Sequence, residues 1–557
     1  MKERTYSIMA LEKLQPVEVF KWFEEICKIP HGSYNVKKIS DFLVKFAKDR
    51  DLYVRQDKEL NVIIKKPGTK GYEDHEPVIL QGHMDMVAVK EKDAKINMEK
   101  SGLDVMTDGK FVWADKTSLG GDDGIAVACC LAILDSKTVA HPPLEVIITT
   151  NEEVGMDGAF ALDCSDIAGK RLINIDNEKE GEMIVSCAGG ARFHGYLPIT
   201  RENRSGIKVK IHVKGLLGGH SGEMINKGRG NANVIMGRLL LEVTDVLEVG
   251  VISLNGGVAD NAIASDCEAE LLLMGAAVDG HGNIKGPDIS FFSMYGKLTS
   301  IAYKVQEDIK GELGSRDPGL EIVVEEVKEG HLPETGDVSN MASVNLDSSV
   351  DTYVDMMDKR EVVSGIIPCS QVRELCRCIC AMPYGVQAMS SAIEGLVETS
   401  LNLGILKITS SRNGAIEGKG AASMGPGTLD EAFLIDYSVR SSVASAKEAL
   451  IRKMQIIVES FGGIHELTGE YPGWAYRENS PLRDKMAEVY KKLFKKDIKI
   501  EAIHAGLECG LFSEKIDDLD CVSIGPDLYD IHSTAERLSV ESTKNTYEFL
   551  LAALKEL

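Results

Sequence analysis

Val78-Ile79-Leu80-Gln81-Gly82-His83-Met84-Asp85-Met86 is the stretch on which the reading of this chain turns. Three apolar residues, two of them β-branched, make the short run expected of a strand buried on both faces. The run ends in a glycine, an imidazole and a carboxylate. The same pattern recurs downstream. Leu144-Glu145-Val146-Ile147-Ile148 leads to Asn151-Glu152-Glu153-Val154-Gly155, Leu172-Ile173-Asn174-Ile175 leads to Asp176, and Cys521-Val522-Ser523-Ile524 leads to a loop reaching His532. A helix rich in Ala and Leu, about Gly124 to Leu134, lies between the first two strands and follows Gly120-Gly121-Asp122-Asp123-Gly124. Strands alternating with helices predict an α/β domain. Ligands of open α/β sheets collect beyond the carboxyl ends of the strands, and here those ends carry His, Asp and Glu.

Outward from this core, residues 16 to 28 and 37 to 48 carry apolar residues at three- and four-residue spacing and predict amphipathic helices. From about Gly190 the texture changes to alternating strands and long amphipathic helices such as Ala232 to Val246, with Gly- and Asp-rich loops around 275 to 288 and 311 to 319. The α/β style returns after Tyr471-Pro472-Gly473-Trp474, with a helix at 481 to 495, strands at 498 to 503 and 521 to 524, and a final helix ending at Leu557. The expected organisation is an α/β domain in two parts, 1–190 and 472–557, with a mixed central sheet flanked by helices. It is interrupted by an inserted α+β domain at 191–471.

Composition bounds the function. A chain of 557 residues with 44% hydrophobic and 27% charged residues is an ordinary globular protein of two or more domains. The formal net charge of −23 argues against nucleic acid or an anionic membrane as partner, since both require a basic surface. The N-terminus shows no apolar signal core, and the longest apolar run, Ile125 to Leu134, is too short to span a bilayer. Twelve cysteines without disulfide-like spacing or a Cys-x-x-Cys pair agree with a cytoplasmic protein. On a strand Cys376, Cys378 and Cys380 would share one face. No His or fourth Cys stands at zinc-finger spacing, so they are read as small buried hydrophobes.

Each polar motif alone has an ordinary explanation. His83-x-Asp85 is often a surface pair, Glu152-Glu153 a solvated turn, and Asp122-Asp123 a helix cap with a favourable dipole charge. Their joint occurrence at successive strand ends of one sheet is what points to a metal site. Together with Cys187-Ala188-Gly189-Gly190, Gly218-Gly219-His220-Ser221-Gly222, Gly230-Asn231-Ala232-Asn233, Asp260-Asn261-Ala262-Ile263, Gly469-Glu470-Tyr471-Pro472-Gly473-Trp474 and His504-Ala505-Gly506-Leu507-Glu508-Cys509-Gly510-Leu511, they give the chain a specific likeness. It resembles the M20 zinc-peptidase family nearly end to end, and within it the aminoacyl-histidine, or cytosol non-specific, dipeptidase branch.

The resemblance implies a metallo-dipeptidase acting on Xaa-His and other dipeptides, with two divalent ions, zinc foremost and cobalt or manganese as alternatives. It implies that His83 and Asp176 bind one ion, Glu153 and His532 the other, and that Asp122 bridges them. Two imidazoles and three carboxylates suit such ions chemically. Asp85, two residues after His83, is suited to accept the other imidazole N–H. Glu152 is the expected general base, the opposite assignment being Glu152 as ligand and Glu153 as base. His220 resembles a lid histidine that stabilises the oxyanion, against a plain turn histidine. Arg440 matches a position expected to hold the substrate carboxylate with help from Asn261, against an exposed salt-bridge arginine. The inserted domain resembles one that often pairs through its helices, which allows a homodimer. A relative acting on N-acyl or N-succinyl amino acids is the alternative enzyme, and a non-catalytic binding protein the alternative of another class. Two departures stand out: extra length around 275 to 370, and Gly-Gly-Asp-Asp-Gly where relatives often have Gly-Ala-Asp-Asn-Gly.

Overall fold

Strands covered by helices on both faces must be apolar on both faces, and Val78–His83 and Leu144–Thr149 are buried at every residue. The computed structural model describes residues 11–274, 277–278, 284–285, 291–327, 361–410, 416–419 and 426–557. Most of the loop expected at 275 to 288 and much of the extra length expected around 275 to 370 therefore lie outside the described residues. Two compact units account for the rest.

The first unit comprises the chain up to Gly189, Tyr471–Leu557 and a short segment, Ser390–Leu396, that no sequence pattern marked. Its eight-stranded sheet contains β1 (Tyr53–Gln56), β2 (Val62–Lys66), β3 (Val78–His83), β4 (Leu144–Thr149), β5 (Arg171–Asn174), β6 (Glu182–Cys187), β7 (Lys499–Ile503) and β8 (Asp520–Ser523). The spatial order is β1-β2-β4-β3-β5-β8-β6-β7. At the centre β4, β3, β5 and β8 run parallel to one another, so their carboxyl ends share one edge. The outer strands β1 and β2 pair antiparallel, which makes the sheet mixed and the fold class α/β as expected.

Helix α1 (Val17–Cys27) presents Val19, Phe20, Phe23 and Ile26 inward, and α2 (Lys37–Lys48) presents Ile39, Leu43 and Phe46. The central helix α3 (Gly121–Asp135) is apolar all round and buried from Gly124 to Leu134, as a helix enclosed by protein must be. Gly82 lets the start of α3 approach β3, because a Cβ there would stand 2.5 Å from Asp123 Oδ2 and 2.7 Å from Ala126 Cβ. Helices α4 (Pro481–Phe494), α5 (Glu508–Lys515) and α6 (Val540–Glu556) complete the unit. A four-stranded sheet built on Leu528–Tyr529, Arg537–Ser539, Phe111–Ala114 and Val105–Thr107 carries the loop with His532.

The second unit, Gly190–Met389 with Val397–Glu470, is built on a twelve-stranded sheet. Its long hairpin pairs Val397–Ser410 with Glu431–Ser441 antiparallel, and Glu202–Lys214 pairs likewise with Cys267–Met274. Helices Ala232–Val246, Phe291–Leu313, Cys369–Ala381 and Ala444–Ser460 belong to it. The cysteine triplet lies in the third of these, not on a strand. Cys376 and Cys378 are buried, but Cys380 is exposed. The buried stripe Val372, Leu375, Cys376, Ile379 has helical spacing, and the alternation of cysteines runs across it. Among the described residues no helix is long and apolar enough to cross a membrane.

Candidate metal centre

The edge formed by the parallel strand ends gathers His83, Asp122, Glu152, Glu153, Asp176 and His532. His83 closes β3, Glu152 and Glu153 follow β4, Asp176 follows β5, and Asp122 stands at the start of α3. Asp122 lies between the two imidazoles: its Oδ1 is 3.1 Å from His83 Nε2 and its Oδ2 is 3.2 Å from His532 Nε2. His83 Nε2 is also 3.6 Å from Asp176 Oδ1 and 3.9 Å from Glu152 Oε2. His532 Nε2 is 2.9 Å from Glu153 Oε2. One carboxylate therefore faces two histidines, and each histidine faces a second carboxylate.

These groups perturb one another strongly. Burial alone would raise the Asp122 carboxyl, but hydrogen bonds from His532 and His83 outweigh it and hold it below the carboxylate range. Burial opposes the charging of His83, yet Asp176 and Asp122 drive its pKa well above the usual value. Hydrogen bonds to Asp122 and Glu153 raise His532 to about 10. Burial raises Asp176 to about 6 and lifts Glu152 well above an ordinary glutamate, His83 opposing in both cases. A buried cluster of carboxylates that must borrow protons and imidazolium charge is chemically suited to cations.

Two overlapping groups have ligand atoms mutually within 4.8 Å: His83, Asp122 and Glu153, and His83, Asp123 and Asp176. Imidazole and carboxylate donors at this spacing fit borderline divalent ions. The second group contains Asp123 in place of Asp122. Asp123 Oδ2 accepts the main-chain N–H of His83 at 3.1 Å, and burial reinforced by Asp176 holds its carboxyl well above the normal range. Its neutral form matches asparagine in size, and burial favours that form in the metal-free site.

The surroundings show how these side chains are held. Asp85 is buried, and its Oδ1 and Oδ2 accept hydrogen bonds from the Glu152 main-chain N–H at 3.1 Å and the Ser33 hydroxyl at 2.8 Å. Its main-chain oxygen lies 3.0 Å from His83 Nδ1, closer than its carboxylate at 3.6 Å. The imidazole is thus oriented by the Asp85 backbone first and its carboxylate second. Burial would raise the Asp85 carboxyl, but His83 and Ser33 keep it low. Buried Glu536 turns the Asp122 loop: Oε2 accepts the N–H groups of Leu119 and Gly120 at 2.7 and 3.2 Å, and Oε1 those of Gly121 and Asp122 at 2.8 and 3.4 Å. Bonds of this type to a charged acceptor contribute about 1.5–3 kcal/mol each when well aligned. Sequence reasoning named neither Ser33 nor Glu536. The bonds of Glu536 span more than 400 residues, so no local pattern announces them.

The remaining candidates belong to the second unit. His220 pairs with Ala262 in a two-stranded ladder, and the Ser221 N–H donates to the Asn261 carbonyl at 2.8 Å. Burial, then the charge of Arg440, lowers the His220 pKa, which keeps the imidazole neutral. Arg440 lies opposite Ser400 on the long hairpin and is buried, contrary to the exposed salt-bridge alternative.

Comparison with known proteins identifies the family. The family described as Peptidase family M20/M25/M40 matches residues 79–556. The cytosol non-specific dipeptidase of Escherichia coli (strain K12) is 33% identical over 98% of this chain and 99% of its own. The crystal structure of aminoacylhistidine dipeptidase from Vibrio alginolyticus superposes with a TM-score of 0.80 at 30% identity, covering 98% of each chain. A tripeptidase from Staphylococcus aureus shares the fold at a TM-score of 0.51 and 14% identity, over 97% of this chain and 98% of its own. The family match over residues 79–556 and the 33% identity across 98% of the chain place this protein in the M20/M25/M40 peptidase family.

Proposed function

We propose that this chain is a dipeptidase that uses two divalent metal ions, and that Asp122 is the residue shared between them. The observation that carries the reading is the Asp122 carboxylate, whose two oxygens face His83 and His532 at 3.1 and 3.2 Å. His83 and Asp176 then hold one ion, Glu153 and His532 the other. Zinc suits two imidazoles with three carboxylates, and cobalt or manganese fits the same donors. When bound, the ions supply Lewis acidity.

The residues of the chain do the rest. Glu152 takes the proton of the attacking water and delivers it to the leaving amine; its raised affinity for protons suits both halves of that transfer. Asp85, held by Ser33 and by the Glu152 N–H, fixes the ring of His83 and the position of Glu152 together. Arg440 and Asn261 bind the free carboxylate of the dipeptide, and the neutral His220 stabilises the oxyanion. A carboxylate clamp of this kind favours dipeptides over longer chains. Twelve unpaired cysteines fit a reducing compartment such as the cytosol.

The test is hydrolysis of a simple dipeptide and of its N-acetylated form by the purified protein, before and after chelation and after restoration with zinc or manganese. Cleavage of the free dipeptide alone, lost on chelation and restored by metal, is the expected result. Preference for the blocked substrate would move the activity to N-acyl amino acids, and turnover that survives chelation would overturn the metal reading.

A further inference from the structure

Beneath the ligand loops lies a second polar layer that the reaction above does not use. Gln81 stands two residues before His83, Asn174 two residues before Asp176, and Thr149 three before Glu152. Side chains alternate along a strand, so Gln81 shares its face with His83. All three are buried in the middle of an otherwise apolar sheet, where an unpartnered polar group costs free energy. Gln81 and Thr149 share one partner, Glu508, the first residue of α5, itself fully buried. Its Oε2 accepts from Gln81 Nε2 at 2.5 Å and from the Thr149 hydroxyl at 2.7 Å. Gln81 Oε1 in turn accepts from Asn174 Nδ2 at 2.6 Å. One buried carboxyl thereby joins β4, β3 and β5, the strands from whose ends Glu153, His83 and Asp176 depart. A residue kept only for packing would be apolar here. Its second oxygen, Oε1, is buried without a hydrogen-bond partner, a cost that apolar packing would avoid.

We propose that Glu508 is a positioning residue: by tying the three strand ends through Gln81, Thr149 and Asn174 it sets the lateral spacing of the metal ligands. The inference rests on the two-metal reading above. It adds that the spacing is fixed one layer below the ligands, from a segment, His504 to Leu511, that carries no ligand.

The experiment compares wild type, Glu508→Leu, Glu508→Gln and Thr149→Val, each loaded with cobalt(II), in metal stoichiometry and affinity, visible ligand-field spectrum, kcat and KM. Glu508→Leu keeps the bulk and removes the acceptor. It is expected to weaken metal binding by about 10–100-fold, the range for partners that orient metal ligands, to alter the spectrum, and to lower kcat with little change in KM. Glu508→Gln keeps one acceptor oxygen for Gln81 and Thr149 and is expected to restore the wild-type spectrum. Thr149→Val removes one of the two bonds and should fall between, which decides the matter if the leucine variant does not fold. Wild-type spectra and affinity in Glu508→Leu or, failing that variant, in Thr149→Val, or a glutamine variant as damaged as leucine, would overturn the proposal. Failure of the wild type to bind cobalt would instead overturn the two-metal reading.

Discussion

The two units present their polar groups in different ways. In the first, His83, Glu153 and Asp176 sit at or just past the ends of buried strands, where backbone direction already points them to one edge. In the second, His220 lies in a two-residue strand, Asn261 in a loop and Arg440 within a long antiparallel hairpin. The general behaviour of parallel sheets locates the first set. No such rule locates the second, whose roles rest on likeness to a family. The proposed chemistry thus falls where topology enforces convergence, and the proposed substrate contacts lie on elements that no such rule places.

The sharpest way to break this division is Glu152→Gln. It is expected to lower kcat by about 10²–10⁴-fold, the usual worth of a positioned base, while two metal ions per chain remain by elemental analysis. Loss of metal in that variant would make Glu152 a ligand and Glu153 the base. A smaller effect, and one of another kind, is expected from Arg440→Ala. KM for a dipeptide should rise on the order of 10–100-fold, as loss of a charge-assisted clamp predicts, with little change for a dipeptide amide. An equal rise for both substrates would remove Arg440 from carboxylate recognition.

Metal-free protein should show the strain of the first unit as a pH dependence of stability. Asp176 titrates near 3.8 when exposed and at about 6 in the fold, so the folded state holds its proton more tightly. The resulting stability is complete below 3.8 and is lost as pH rises through 6. His532, raised from 6.5 to about 10, gives a second loss between those values. Urea unfolding at a series of pH values, with and without zinc, checks this; metal should abolish both declines, because it replaces the protons. The smallest effect is expected for Asp123→Asn. With burial favouring the neutral carboxyl and its Oδ2 committed to the His83 N–H, the substitution should leave kcat within about twofold and metal affinity within a few-fold. A large gain or loss would show that the Asp123 charge acts in the metal-loaded enzyme.

Much of this was legible in the sequence, for identifiable reasons. Short apolar runs ending in His, Asp or Glu read as strands with ligands because buried strands and metal donors have opposite chemistries, and the junction is abrupt. Helix α3 was legible because a run from Ile125 to Leu134 leaves no polar face. Glu536, Ser33 and Glu508 were not legible as supports. Each acts on backbone or side chains far away in sequence, and a single Glu or Ser has no periodicity. Of the cysteine triplet, Cys376 and Cys378 are the small buried hydrophobes expected and Cys380 is not, because Val372, Leu375 and Ile379 obey the helical period and spacing by two runs off the buried stripe. The return of Ser390–Leu396 to the first unit has no local signal either; Ile393 packs against that unit's core only once the chain is folded.

The clamp of Glu536 on the Asp122 loop also bears on how the protein is born. A ribosome delivers Asp122 early, whereas His532 and Glu536 emerge about four hundred residues later. Until then the loop lacks both the carboxylate that shapes it and the second imidazole it must face. A chain interrupted before β8 can therefore pair β1 to β5, yet it lacks both the strand that lies beside β5 and the groups that complete the candidate cation site.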